Sequence, residues 1–232
     1  MQTADPLRLP TYTIFPKPDY YFSTTGANLS INSGFGYNHG YYSPNIDVTW
    51  VGMVGPGVAA RGVDGPQPAG GNQPSDPESM NTVPQASTVG TWVEETDIRP
   101  TLLYLTGLTD DYQSDGHVIT QALSHAPASL AATKDLAAAY DQINSSVGQF
   151  ATDTLIADSK ALASGSSSGD TAFAAEQSTL LDLANDRDRV AAKIKGVLSD
   201  AAAGQMPNHG QVTSGLAQAR ELLKRAHALA AQ

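Results

Sequence analysis

The chain has 232 residues, an apolar fraction of 41% and a formal net charge of −10. This length suits one large domain or two small ones, and the acidic balance argues against nucleic acid or an anionic membrane surface as a partner. The sequence contains no cysteine, which excludes disulfides, thiolate metal sites and cysteine nucleophiles. No run of residues approaches the ~20 apolar positions of a membrane-spanning helix.

The composition changes sharply near Ser124 to Ala128. Thirteen of the 14 prolines, eight of the nine tyrosines and both tryptophans lie before Ala128, and an alanine-rich stretch with helical spacing follows. We therefore predict one domain over residues 1–125 and a helical tail over 126–232. The N-terminus lacks the basic and apolar segments of a signal peptide.

The first half of the chain contains three strand candidates. Thr11–Phe15 and Asp19–Phe22 are short and β-rich, and both are bounded by prolines or turn residues. Val48–Val54 is apolar on both faces, as in a strand that helices cover on each side. Residues 59–90 are rich in Gly, Pro, Ser and Asn, and we predict a disordered insertion there.

Residues 23–47 are rich in Gly, Ser, Asn and Tyr, which predicts a loop, and they contain the step Asn38-His39-Gly40. A histidine can bind a metal or act as a general acid or base, so His39 is a candidate for either role. The alternative is an ordinary histidine on a surface loop.

Thr91–Leu108 predicts an extended run, a polar turn and a helix with clear ends. Thr96 or Asp97 can cap the helix, Pro100 suits its first turn and Gly107 can end it. The side chains predicted to be buried are Leu102, Leu103 and Leu105.

The polar turn before this helix carries two adjacent carboxylates, Glu94 and Glu95. These residues are either part of a functional site or a solvated turn, and both interpretations stay open. The acidic segment Thr109–Gly116 lacks the spacing of a twelve-residue calcium loop, which favours a solvated turn.

Residues 128–232 predict three helices. The apolar spacing predicts one continuous first helix through Leu136 and Ala161. Gly165–Gly169 ends it, Asp170 can cap the second helix, and Gly204–Gly210 precedes the third. Short connections predict an antiparallel up-down-up arrangement. This tail is either an interaction surface or a packed appendage.

Three segments together resemble the C-terminal part of bacterial proteins of the alkaline phosphatase superfamily, which includes phosphodiesterases, sulfatases and phosphopentomutases. They are residues 37–57, 91–101 and 107–119. The resemblance implies an α/β fold, here an incomplete alkaline-phosphatase-like sheet fragment followed by the three-helix tail. It also implies an extracellular or cell-envelope location.

The same resemblance assigns candidate metal ligands. Asn38-His39-Gly40 is similar to an Asp-His-Gly step whose Asp and His bind one metal, so His39 is a candidate and Asn38 a weaker one. Glu95 stands where the family has a histidine that binds the second metal. A carboxylate at this position suits Mg²⁺, Mn²⁺ or Ca²⁺ as well as Zn²⁺.

The family's nucleophile has no counterpart that we identify in this sequence. The resemblance therefore implies a C-terminal fragment of a metal-dependent phosphoesterase-type hydrolase, which is inactive without its N-terminal half. The expected partner is that half or a second copy of the chain. The alternative is a non-catalytic surface or interaction protein that docks through its helical tail. A purely structural helical protein would leave the matched segments unexplained.

Overall fold

The computed structural model describes residues 51–60, 62, 93–145, 148–163 and 169–231, apart from the side chains of 162–163 and 169–172. Six α-helices lie in these ranges. They are α1 (Ile98–Thr106), α2 (Ala128–Ala131), α3 (Lys134–Asn144), α4 (Gln149–Ala163), α5 (Gly169–Ala202) and α6 (His209–Ala230). The 3₁₀ turn Glu95–Asp97 lies directly before α1. A second 3₁₀ turn, Thr120–Ala122, lies between α1 and α2.

Helices α3 to α6 form a bundle in which α3 and α4 pack one after the other against α5 and α6. Side-chain contacts give the directions of the helices. Asp158 on α4 accepts a hydrogen bond from Gln177 on α5, and Asp186 on α5 pairs with Arg225 on α6. Lys160 on α4 donates to the Ala230 carbonyl at the end of α6 at 2.6 Å. The sequence of directions along the bundle is therefore up, down, up.

The core of the bundle follows the predicted helical spacing. Leu136, Tyr140 and Ile143 on α3 are at most 3% exposed, and they pack with apolar residues of the three longer helices. The other fully or nearly buried members include Phe150, Ala157, Leu183, Ile194, Ala219, Leu222 and Ala226. Burial of this stripe provides the main apolar driving force for the bundle.

The first helix of the bundle is not continuous, so that prediction was wrong. Helix α3 ends at Asn144, and Ser145 adopts an extended conformation with ψ 158°. Gly148 then approaches the end of α3 so closely that a Cβ there would lie 2.6 Å from the Asp141 carbonyl oxygen. The break depends on this close backbone approach, which apolar periodicity does not report.

The connection between α5 and α6 uses local turn chemistry. Gly204 has a positive φ of 84°, and the Asn208 side chain accepts a hydrogen bond from the Gly210 N–H at 2.8 Å. Gly215 lies farther along α6, where a Cβ would lie 2.8 Å from Leu136 Cδ1. The glycine therefore allows α6 to approach α3 closely.

The α/β expectation, with an incomplete alkaline-phosphatase-like sheet, was wrong: the protein is helical, and the described residues contain no strand. One isolated antiparallel bridge joins Val58 to Leu123. The predicted strand Val48–Val54 is not a strand over its described part, 51–54, and Val54 is 98% exposed. An apolar run of this length has no period that distinguishes a strand from an irregular segment.

Helix α1 begins and ends close to the predicted residues. Gly107 adopts φ 67°, and the N–H groups of Gly107 and Leu108 donate to the Tyr104 and Leu103 carbonyls, as in a Schellman motif. The predicted buried face needs correction. Leu102 is 52% exposed, whereas Thr101 is fully buried and donates to the Asp97 carbonyl at 2.7 Å.

We call residues 93–123 the cap, because they pack against the bundle through a small second core. Val118 and Leu123 of the cap contact Leu130 of α2 and Ala201 of α5, with Tyr104 and Leu105 at the edge. The Ser129 hydroxyl also donates to the Ala201 carbonyl at 2.8 Å. The boundary predicted near Ser124–Ala128 stays a prediction, as does the division into domains.

Several predictions fall outside the described residues. These are the strand candidates Thr11–Phe15 and Asp19–Phe22, the residues Asn38 and His39, and nearly all of the insertion 59–90. Within the part of the chain that the structure describes, no helix has both the length and the apolar character needed to cross a membrane.

Candidate functional site

The most connected polar site lies where the cap meets the bundle. Asp97, at the end of a 3₁₀ turn, is 1% exposed. Its Oδ2 accepts the Glu94 N–H at 3.0 Å and its Oδ1 accepts the His117 N–H at 2.8 Å. This side chain therefore ties together two cap segments that are 20 residues apart in the sequence.

His117 connects the same site to α3. Its Nε2 lies 2.9 Å from Asp141 Oδ1, and its Nδ1 lies 3.1 Å from the Val118 carbonyl oxygen. Both ring nitrogens face oxygen acceptors, an arrangement that fits two N–H donors and therefore an imidazolium. The His117 and Asp141 side chains are only 11% and 13% exposed, so water screens this pair weakly.

The electrostatics of the two partners point in different directions. Burial lowers the pKa of His117, but the hydrogen bond and charge of Asp141, together with the charge of Asp97, raise it to about 9. The pKa of Asp141 is also raised, because burial and the charge of Asp97 outweigh the hydrogen bond and charge of His117. We assign a carboxylate and an imidazolium, because each ring nitrogen faces an oxygen acceptor.

Four further contacts fix the loop that carries His117. The Tyr140 hydroxyl donates to the Asp115 carbonyl at 2.8 Å, and the Tyr140 ring lies edge-on to His117 with centroids 6.3 Å apart. Lys195 pairs with the Asp115 carboxylate at 2.9 Å. The Thr101 hydroxyl accepts the Ile119 N–H at 2.9 Å. The loop is therefore held from α1, α3 and α5.

Gly116 is a steric requirement of this loop. A Cβ at this position would lie 2.2 Å from the Thr96 carbonyl oxygen and 2.6 Å from the Asp97 nitrogen. Both are backbone atoms, which cannot rotate away as a flexible side chain can. The loop can reach Asp97 only because position 116 has no side chain.

The two adjacent glutamates have different environments. Glu95 is exposed, and its side chain makes no hydrogen bond or ion pair with the described residues, although its backbone carbonyl accepts the Ile98 N–H. Glu94 is half-buried, and burial raises the pKa of its carboxyl group. The Ser145 hydroxyl lowers that pKa, whereas the charges of Asp97, Asp141 and Glu95 raise it. The turn therefore directs one carboxylate to solvent and draws its neighbour into the buried site.

Of the candidate metal ligands from the sequence, only Glu95 lies among the described residues, and it is not part of the Asp97–His117–Asp141 cluster. His39 and Asn38 lie outside the described residues, so their assignment as metal ligands stays a prediction. Sequence reasoning missed His117 and Asp141 as site residues. The available signal was a histidine directly after an acidic turn that ends in Asp115-Gly116.

As a catalytic group, His117 is poorly suited to accept a proton, because its ring is already charged. Within the described ranges, no serine or threonine hydroxyl is hydrogen-bonded to a histidine ring. The cluster can instead fix the cap, and its oxygen and nitrogen atoms are of the types that bind divalent cations.

Comparison with known proteins identifies no relative: no family model, curated protein or solved structure matches the chain.

Proposed function

We propose that the chain works as part of a metal-dependent phosphoesterase-type hydrolase and contributes Glu95 as a ligand to a divalent cation. The observation that carries this proposal is the opposite placement of two carboxylates on one short turn. Asp97 is buried and structural, whereas Glu95, two residues earlier, is exposed, and its carboxylate has no hydrogen-bond or ion-pair partner among the described residues.

This separation matches the residue roles that the resemblance implies. In the resembling turn, the position of Glu95 binds a metal. A ligand in a two-metal site must face the substrate, and its backbone must be fixed before the metal binds. The hydrogen bonds of Asp97 to the N–H groups of Glu94 and His117 provide that fixation. A carboxylate at this position favours hard cations such as Mg²⁺, Mn²⁺ or Ca²⁺.

Metal binding at Glu95 can be tested with Mn²⁺ followed by electron paramagnetic resonance. We expect Glu95→Gln to lower the Mn²⁺ affinity of one site by about 10-fold or more. Removal of a residue that only hydrogen-bonds to a metal ligand already lowers metal affinity by roughly 10–100-fold. Asp111→Asn is the matched control, because Asp111 is an exposed carboxylate of the same cap. Equal Mn²⁺ affinity in the wild type and Glu95→Gln would contradict the proposal.

We also expect no hydrolysis of p-nitrophenyl phosphate by the 232-residue chain with Mn²⁺, Zn²⁺ or Ca²⁺. This expectation follows from the lack of an identified nucleophile. Metal-dependent turnover that His39→Ala abolishes would contradict it and would assign catalysis to this chain itself.

A second candidate function is an interaction surface on the bundle, with another copy of the chain as the partner. Leu155, three residues before Asp158, lies on the same side of α4, and Leu181, four residues after Gln177, lies on the same side of α5. The hydrogen bond between Asp158 and Gln177 joins these sides of α4 and α5, and from this we infer that the two leucines are neighbours on the surface. They are 66% and 49% exposed.

Self-association can be measured by sedimentation velocity across a concentration series. If the two leucines form an interface, Leu155→Ser/Leu181→Ser will shift the chain toward monomer, and Ser159→Ala, at an exposed position of α4, will not. A wild-type chain that stays monomeric at all concentrations would contradict this candidate.

A further inference from the structure

We propose that Asp97, His117 and Asp141 form a binding site for one divalent transition-metal ion, with Zn²⁺ as the best match, separate from Glu95. One ligand atom from each residue lies within 4.8 Å of the other two. The proposal does not depend on the hydrolase assignment, because it uses different residues and concerns the attachment of the cap to the bundle.

The donor set matches the chemistry of zinc. Zn²⁺ binds imidazole nitrogen and carboxylate oxygen at roughly 2.0–2.2 Å, which places neighbouring ligand atoms of a tetrahedral site about 3.4 Å apart. His117 Nε2 and Asp141 Oδ1 are already 2.9 Å apart. The most distant pair must approach by about 1–1.5 Å, which side-chain rotation can supply.

The hydrogen bonds to these residues resemble those that orient the ligands of a metal ion. In metal sites, the second ring nitrogen of a histidine ligand commonly donates to a backbone carbonyl, and ligating carboxylates accept additional hydrogen bonds. His117 Nδ1 faces the Val118 carbonyl at 3.1 Å. Asp97 accepts one backbone N–H on each oxygen, and each oxygen keeps a second lone pair.

The charge balance also favours a cation. The cluster contains the carboxylates Asp97 and Asp141 and the cationic ring of His117. The carboxylates of Glu94 and Glu95 lie close by. Lys195 pairs with Asp115 at the outer edge. On binding, Zn²⁺ takes the position between Nε2 and Oδ1, and the Nε2 proton passes to solvent. The ion would then join the turn before α1, the His117 loop and α3.

The test uses the full 232-residue chain and Zn²⁺ as the probe, in isothermal titration calorimetry and thermal unfolding. We expect one equivalent of Zn²⁺ to bind and to raise the unfolding midpoint, and EDTA to reverse the shift. His117→Gln and Asp141→Asn should each weaken binding at least about 100-fold, beyond the roughly 10–100-fold cost of losing an outer-shell partner.

The control variants separate this site from others. Asp111→Asn should leave Zn²⁺ binding unchanged, because Asp111 is an exposed carboxylate that belongs to neither proposed site. The two proposals fail separately, since this one is read in His117→Gln and Asp141→Asn and the other in Glu95→Gln. Asp141→Asn keeps a side chain of the same shape and protects the test against misfolding, which far-UV circular dichroism monitors. Co²⁺ in place of Zn²⁺ should give a visible absorption band that His117→Gln removes.

Two results would overturn the proposal. One is that Zn²⁺ does not bind, even at concentrations high enough to saturate weak surface sites. The other is binding that persists unchanged in folded His117→Gln and Asp141→Asn, which would indicate an adventitious ion at other residues.

Discussion

The cap and the bundle are stabilised by different interactions. The bundle has a continuous apolar core, in which Leu136, Ile143 and Ile194 are at most 1% exposed. The cap has a small apolar contact with the bundle and a buried polar network around Asp97 and His117. Apolar packing tolerates changes in pH, whereas a buried ion pair depends on the protonation of each partner. The two regions should therefore respond to different perturbations.

The largest expected effect is a cavity in the bundle. Leu136→Ala should lower the free energy of unfolding by about 2–5 kcal/mol, because Leu136 is fully buried between α3 and α6. Urea denaturation followed by circular dichroism measures this loss. Leu155→Ala is the matched control, since Leu155 is 66% exposed and its truncation should change stability by less than about 0.5 kcal/mol. Equal losses in both variants would contradict the assigned core.

The next effect is the pH dependence of the cap. The folded-state pKa of His117, about 9, lies above the ordinary histidine value of 6.5. The contribution of His117 to the free energy of unfolding is therefore complete below about pH 6.5 and is lost as pH rises through about 9. This contribution is on the order of 3 kcal/mol. Urea titrations with EDTA between pH 6 and 10 should record this decline in wild type. A decline of the same size in His117→Gln would assign it to other groups.

A smaller loss is expected from Gly116→Ala. The added Cβ meets the Thr96 backbone at 2.2 Å, so the loop must move away from Asp97. Overpacking of this kind costs about 1–3 kcal/mol. Hydrogen exchange should localise the loss of protection to the cap while α5 and α6 keep theirs. Loss of protection across both regions would indicate that the cap and the bundle unfold together.

The smallest effect is a gain in the bundle. Gly196 lies inside α5, is exposed, and has no heavy atom within 4 Å of an added Cβ. Gly196→Ala should therefore raise the free energy of unfolding by about 1 kcal/mol, which is the difference in helix propensity. Gly116→Ala in the cap and Gly196→Ala in the bundle are the same substitution, so their opposite effects on stability would reflect the two environments. A destabilising effect at position 196 would mean that this face of α5 is covered.

The sequence predicted the features that depend on neighbouring residues. Gly107 ends α1 where a left-handed residue is needed. The apolar side of α3, with Leu136, Tyr140 and Ile143, is buried. These features follow from local conformational preference and a helical period. The break after Asn144 was missed because Gly148 is required there by contact with the α3 backbone, which leaves no periodic signal.

The polar site was less predictable for the same reason. His117 meets Asp97 and Asp141 across 20 and 24 residues of sequence, and no spacing rule links such positions. Thr101 was overlooked in favour of Leu102, because hydrophobicity does not indicate that a buried hydroxyl will join two segments of the cap. The sheet was predicted from an apolar run and a resemblance, and Val54 proved to be exposed.

The central claim is that a charged His117 joins the cap to the bundle through Asp141. Long-range ¹H–¹⁵N correlation of the histidine rings at pH 7, with EDTA present and His117→Gln for assignment, tests it directly. We expect both ring nitrogens of His117 to carry a hydrogen and to titrate with a midpoint near 9. A neutral ring at pH 7, or a midpoint at or below the ordinary value of about 6.5, would contradict the claim.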